Sequence, residues 1–188
     1  MKRVRLATVE DVAAMSFVHA QTWRSAYTNY ISDEYLNNIT DEGWIPLFSR
    51  AFAQNLHEAA VFEIDGSITG TVTFGRGRPM NTCTTGDMKK TGSSCDANNC
   101  DEGEIISLYV LPEYWSTKQG YQLTKFAIDR LKIQDYKSCY LWVIKQNERA
   151  VNFYKRFGFT STNELTTVML AGQAVVEEKY RIYPLTSR

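Results

Sequence analysis

The sequence predicts an α/β domain, and three observations carry that reading. Runs of period-2 alternation, the mark of strands, interleave with runs of period-3.6 apolar spacing, the mark of amphipathic helices. The chain has 188 residues, the size of one ordinary domain. No internal repeat and no low-complexity linker divides it. Hydrophobic residues make up 44% and charged residues 22%, the balance of a soluble globular domain rather than of a disordered chain or coiled coil. Twenty-one basic residues offset twenty-one acidic ones, so no global charge draws the protein to nucleic acid or an acidic membrane. No run of about 18 apolar residues is present, which argues against a membrane span. The opening MKRVRLATVEDV lacks the apolar core of a secretory signal, so a cytoplasmic location is expected.

The elements follow in order. Residues 3–7 alternate charged and apolar side chains, a half-buried strand. Thr8 with Asp11 resembles a capping box, and Val12, Met15, Val18 and His19 then recur at helical spacing, continued by Trp23 and Tyr27. Residues 33–39 and 44–55 read as further helices, with Pro46 suited to a first turn. Residues 59–64 and 67–74 are β-rich and flank Asp65-Gly66, the strongest hairpin signal in the chain. Across residues 77–103 Gly, Ser, Thr, Asn and Asp dominate, so a long loop insertion is expected there.

Residues 104–111 form a nearly continuous apolar run, typical of a strand covered on both faces, and Pro112 stops it. Leu123, Phe126, Ala127 and Leu131 make a helical stripe, and residues 137–145 read as a strand. Asn147 caps a helix with Ala150, Phe153, Tyr154 and Phe157 on one face and Gly158 as its stop. Residues 164–170 and 175–183 supply two last strands around Ala171-Gly172.

Two segments carry the chemistry. GEIISLYVLPEYWSTKQGYQL (residues 103–123) and LWVIKQNERAVNFYKRFGF (residues 141–159) resemble the core of the GNAT superfamily of acetyl-CoA-dependent N-acetyltransferases. Asn147, Ala150, Phe153, Tyr154, Gly158 and Phe159 all fall in that family's register. The resemblance implies one domain with a mixed central sheet of about seven strands, helices on both faces and a splayed parallel strand pair that takes CoA. It implies that backbone groups of Leu108, Tyr109 and Val110 bind the pantetheine arm. The pyrophosphate then falls to Trp115, Ser116, Thr117, Lys118, Gln119, Gly120 and Tyr121, at a helix N-terminus whose N–H groups and dipole suit an anion. The family pattern places two or three glycines in this loop, and here only Gly120 matches. Side chains of Ser116, Thr117 and Lys118 are the expected substitute donors.

By the same resemblance Tyr154 protonates the leaving CoA thiolate, work for which a phenol with a pKa near 10 is suited. A core aromatic is the plain alternative. Glu104 matches the position of a general base, and six residues at about 3.3 Å each separate it from Val110, roughly the length of a pantetheine arm. Its plain alternative is a surface glutamate at a strand start. Asn147 caps its helix and hydrogen-bonds CoA, while Trp23 and Tyr27 border the acceptor site. The expected partners are acetyl-CoA and an amine, and the expected assembly is a monomer or homodimer. A domain that keeps the fold and binds acyl-CoA or a protein without catalysis is the second reading.

Cysteine adds little to this chemistry. Cys139 lies at a strand start, as a packed thiol would. Cys83-x11-Cys95-x4-Cys100 lacks Cys-x2-Cys spacing, and a fourth zinc ligand would have to come from Asp87, Asp96, Asp101 or elsewhere. Zinc, a disulfide and plain thiols stay open, and no metal site is assigned. With only His19 and His57, a His-rich metal site or a Ser-His-Asp hydrolase is disfavoured.

Overall fold

Alternating charge and apolarity in Lys2–Leu6 produces β1, which pairs antiparallel with β2 (Glu58–Ile64) from Lys2↔Ile64 to Leu6↔Ala60. Asp65 and Gly66 both take positive φ, 48° and 87°, as an Asp-Gly hairpin turn requires, and return the chain into β3 (Ser67–Arg76). With β4 (Glu102–Val110), β5 (Ser138–Ile144), β6 (Thr160–Leu170) and β7 (Gln173–Ile182) these strands form one mixed seven-stranded sheet of order β1-β2-β3-β4-β5-β7-β6. The helices are α1 (Val12–Ala26), α2 (Asp33–Asn38), α3 (Ile45–Ala53), α4 (Gln119–Ile133) and α5 (Glu148–Phe157). The structure, a computed structural model, describes residues 1–78 and 101–185. The expectations for Cys83, Cys95, Cys100 and most of the insertion at 77–103 lie outside the described residues. Among the described residues no helix is long and apolar enough to cross a membrane.

The chain divides into two compact units. The first joins Met1–Gly75 to Ile105–Asp129. Its core sets Val12 and Met15 of α1 against Phe48 of α3 and Ala59 and Val61 of β2, all buried. Apolar burial of this kind stabilises by about 25 cal/mol per Å² removed from water. Ser16 ties the segment before α3 to α1, donating to Asp41 O (2.6 Å) and accepting from Trp44 N–H (3.0 Å). Thr8 N–H donates to Asp11 Oδ2 (2.8 Å), as the capping-box reading expects, but the residues it opens, Val9–Asp11, form a 3-10 turn ahead of α1. Pro46 sits in the first turn of α3, where its missing N–H costs nothing. Gly70 lets α4 approach the sheet: a Cβ there would lie 3.0 Å from Leu123 Cδ1 and 3.2 Å from Val110 Cγ2.

The second unit joins Arg76–Glu104 to Arg130–Arg188. Within it β4 begins parallel to β5, in register Glu102↔Ser138, Gly103↔Cys139 and Glu104↔Tyr140, and the pairing ends there. β7 lies antiparallel to β5 and turns through Ala171 and Gly172, both at positive φ, to β6. Gly103 is buried against α4, and a Cβ there would sit 2.8 Å from Leu131 Cδ1. α5 starts at the Asn147 cap and stops at Gly158, whose φ of 118° is the left-handed exit that favours glycine.

Four strand ends lie two or more residues from the sequence expectation, among them β7, which opens at Gln173 instead of 175. β3 runs on to Arg76 and β4 starts at Glu102, and Gly77 N–H donates to Glu102 O (2.8 Å) just beyond them. β6 begins at Thr160, since Thr160 and Ser161 pair with Arg181 and Tyr180 before the register shifts at Leu165. Asn163 at φ 61° lies in that shift.

Candidate active site

The end of β4 and the loop after it belong to the first unit. Leu111 N–H donates to Thr69 O (2.9 Å), and the Tyr109 carbonyl faces Gly70, so both residues turn their backbone groups toward β3. Successive residues of a strand alternate edges, so Leu108 and Val110 turn to the opposite one. There Val110 O is already occupied, accepting from Thr22 Oγ1 (3.1 Å) and Trp115 Nε1 (2.7 Å). The Leu108 amide and carbonyl and the Val110 N–H are the groups of that edge suited to an added amide chain.

Tyr109 contributes its side chain instead. Its hydroxyl lies 3.1 Å from that of Tyr27, and its ring meets His19 edge-on with centroids 4.3 Å apart. His19 also packs on Phe48 and Trp44, while Trp23 bridges Tyr27 (5.0 Å) and Trp44 (5.1 Å). Trp23 near the end of α1 and Tyr27 just past it therefore belong to one aromatic cluster. Burial pushes the His19 imidazole down to about 3, so it is neutral at physiological pH.

The loop between β4 and α4 has an unusual backbone. After a 3-10 turn at Pro112–Tyr114, Ser116 takes φ 65° and Lys118 takes φ 69°. Both are in the left-handed region that glycine favours. Neither has glycine's freedom, yet both adopt a conformation that a glycine would supply. Gln122 N–H makes the first helical bond of α4, to Lys118 O (3.0 Å), so the N–H groups of Gln119, Gly120 and Tyr121 precede the helical ladder.

The side chains divide. Ser116 and Lys118 are exposed, whereas Thr117 Oγ1 donates back to Tyr114 O (2.6 Å). Gln119 is buried and its Oε1 accepts from Thr69 Oγ1 (2.8 Å). Thr117 spends its backbone N–H on Tyr114 O as well (3.3 Å), so this expected donor is turned back on its own loop. Gln119 offers only its backbone N–H, and the exposed hydroxyl and ammonium are those of Ser116 and Lys118.

The second unit holds the other predicted residues. Asn147 caps α5, its side-chain oxygen accepting from Ala150 N–H (3.1 Å). Tyr154 is buried on α5, its ring against Phe153 (5.1 Å) and Phe159 (5.8 Å). Cys139 is a fully buried thiol that donates to Tyr140 O (3.6 Å). Glu104 is no surface glutamate. It is 3% exposed, and Arg78 grips it with Nη2 to Oε1 (2.7 Å), Nε to Oε2 (2.9 Å) and its backbone N–H to Oε2 (3.1 Å). Tyr140 OH lies 3.2 Å from Oε2.

These pieces are a strand edge suited to amides, an anion-ready helix start and a buried tyrosine. The chain matches the acetyltransferase (GNAT) family over residues 21–159. It belongs to that family. Among GNAT relatives it is 25% identical over 157 residues to the uncharacterized N-acetyltransferase YuaI of Bacillus subtilis, covering 84% of this chain and 79% of the relative. It is 24% identical over 157 residues to a spermidine N(1)-acetyltransferase of Thermoplasma acidophilum, covering 83% and 86%. Its fold matches the crystal structure of the PaiA N-acetyltransferase of Thermoplasma acidophilum in complex with coenzyme A. That match has a TM-score of 0.68 and 19% identity, over 95% of this chain and 98% of the other. The protein is therefore a GNAT-type acetyltransferase, and acetyl-CoA is its cosubstrate.

Sequence reasoning missed three residues that touch the predicted site of this GNAT chain. Thr22 and the Trp115 indole cap Val110 O, and Thr22 lies outside the motif segments. Arg78 and Tyr140 surround Glu104. Arg78 follows a glycine at the end of a strand and carries no motif, while Tyr140 reads as one more aromatic in an apolar strand.

Proposed function

We propose that the protein transfers the acetyl group of acetyl-CoA to a primary amine by direct attack in a ternary complex. The observation that carries the proposal is the left-handed backbone at Ser116 and Lys118 opening α4. It supports a pyrophosphate seat made of the N–H groups of Gln119, Gly120 and Tyr121, with the Lys118 ammonium beside it. Leu108 and the Val110 N–H bind the pantetheine amides, Trp115 holds the end of β4 in shape, and Asn147 adds a hydrogen bond to CoA. Trp23 and Tyr27 border the acceptor.

In the reaction, an ammonium gives one proton to Glu104 Oε1, directly or through one water, and its freed lone pair attacks the thioester carbonyl. The carbon–sulfur bond breaks, and Tyr154 gives its hydroxyl proton to the departing thiolate. The second proton shed by the attacking nitrogen returns through water to the Tyr154 oxygen, leaving a neutral amide, a free thiol and a protonated Glu104. Cys139 takes no part, being fully buried. The chain acts as one acetyltransferase domain with an insertion between β3 and β4, in the cytoplasm. Spermidine is the first acceptor to try, because a relative carries that activity in its name.

The second reading, an acyl-CoA-binding domain without catalysis, draws on the Arg78 grip that occupies Glu104. Calorimetry with acetyl-CoA and CoA, followed by a thiol-release assay over spermidine, an aminoglycoside, free amino acids and a lysine peptide, separates the two. Low-micromolar acetyl-CoA binding with thiol release on at least one amine is the expected result. Binding without release on any amine would favour the second reading. No binding at hundreds of micromolar would overturn both.

A further inference from the structure

Glu104 sits in a built cage. Gly77 lies directly on the Tyr140 ring: a Cβ there would be 2.8 Å from Tyr140 Cε1, 3.1 Å from its hydroxyl and 3.0 Å from Glu102 O. This close approach brings the next residue, Arg78, alongside Glu104. Donors then converge on a single carboxylate oxygen. Oε2 receives the Arg78 N–H and the Arg78 Nε–H, and the Tyr140 hydroxyl, with its one proton, lies 3.2 Å from each of two acceptors, Oε2 and Arg78 O. Oε1 receives only Arg78 Nη2 among the described residues.

Tyr140 is a lasting donor, because burial and the neighbouring Glu104 charge both push its hydroxyl pKa upward. Other charged groups surround the cage. The Lys179 ammonium lies 4.6 Å above the Tyr140 ring and pairs with Glu164 (3.5 Å). Glu102, two residues before Glu104, is held by Arg181 (2.8 Å) and Ser138 (2.7 Å).

We infer that Tyr140 is a positioning residue for acetyl transfer: together with Arg78 it saturates Glu104 Oε2 and fixes Oε1 as the oxygen that receives the acceptor's proton. The inference rests on Glu104 being the proton acceptor. It adds that the carboxylate cannot rotate to offer its other oxygen, so the approach of the amine is set by the strand register Glu104↔Tyr140. The proton leaves the ammonium nitrogen and lands on Oε1, giving a neutral carboxylic acid and a neutral amine. Water takes that proton in the next cycle.

The test reads Glu104 directly. NMR of the full chain with glutamate labelled at its carboxyl carbon, assigned through Glu104→Gln, follows the Glu104 titration without any acceptor. Tyr140→Phe removes one donor to the ionised form and keeps the ring, so the midpoint is expected to rise by about one pH unit. An unchanged midpoint in folded Tyr140→Phe protein overturns the inference. Should that variant fail to fold by circular dichroism, Arg78→Lys carries the same test. It keeps the charge and loses the fork, so the midpoint again rises, and an unmoved one overturns the inference.

Kinetics with spermidine, or with the amine of the panel that turns over fastest, then test the reading beneath it. Glu104→Gln should cost about 100-fold in kcat/KM. Tyr140→Phe should move the acid limb of the pH profile upward with the NMR midpoint. Full activity in Glu104→Gln would overturn the base role while leaving the Tyr140 contact standing on the NMR result.

Discussion

Ser116→Gly is the substitution that tests the loop most sharply. Ser116 holds φ 65° with an exposed side chain. An L-residue held left-handed costs about 1–2 kcal/mol, and glycine removes that cost. Glycine also gives the unfolded chain more freedom to lose, which takes back about 0.4–1 kcal/mol. The balance is a gain of roughly 0.5–1 kcal/mol, and for a chain of this size each kcal/mol raises Tm by about 2–4 °C. Acetyl-CoA affinity should hold within about threefold, since the backbone already has the shape glycine would give. Ser116→Val is the opposite perturbation. A β-branched residue at this φ should lower Tm by several degrees and weaken acetyl-CoA binding at least about tenfold. Thermal unfolding by circular dichroism and calorimetric titration with acetyl-CoA measure both. A lower Tm for Ser116→Gly, or an innocuous Ser116→Val, would refute the argument that this loop replaces missing glycines by strain.

Three further outcomes follow from the geometry. Tyr154→Phe should lower kcat about 100-fold while leaving the acetyl-CoA KM within about threefold, measured by thiol release. His19 is neutral in the folded protein with its pKa pushed down to about 3 from the ordinary 6.5. Its contribution is therefore complete above pH 6.5 and declines as pH falls toward 3, by up to about 1.4 kcal/mol per pH unit. Urea unfolding at pH 7 and pH 5 should show that decline in the wild type and a flatter profile in His19→Gln. Gly77→Ala would drive a methyl into Tyr140 and Glu102 O, so a loss of about 1–3 kcal/mol is expected by denaturant titration.

Much of this architecture was legible because local chemistry decides it. Asp65-Gly66 is a hairpin wherever it lies between two β-rich runs, since both residues tolerate positive φ. Asn147 and Gly158 bracket α5 because a side-chain carbonyl satisfies a helix start and glycine accepts the left-handed exit. The segments at residues 147–159 and 103–123 pointed to the family through their resemblance to its motifs. The boundaries of β3, β4 and β6 were less legible. Thr160, Ser161 and Glu102 enter the sheet through backbone bonds to partners distant in sequence, and their side chains carry no alternation.

The tertiary structure decided the rest, for one physical reason. A hydrogen bond depends on which groups meet, and local sequence does not specify that meeting. The sequence named Glu104 but not Arg78 and Tyr140, which turn a strand-start carboxylate into a caged one. It named the loop at residues 115–121 but not that Ser116 and Lys118 adopt glycine's conformation, that Thr117 spends its hydroxyl on Tyr114 O, or that Gln119 turns its side chain inward. It named Val110 but not that Thr22 and Trp115 fill its carbonyl. The motifs, through their family resemblance, indicated the chemistry. Packing determined which atoms are positioned to perform it.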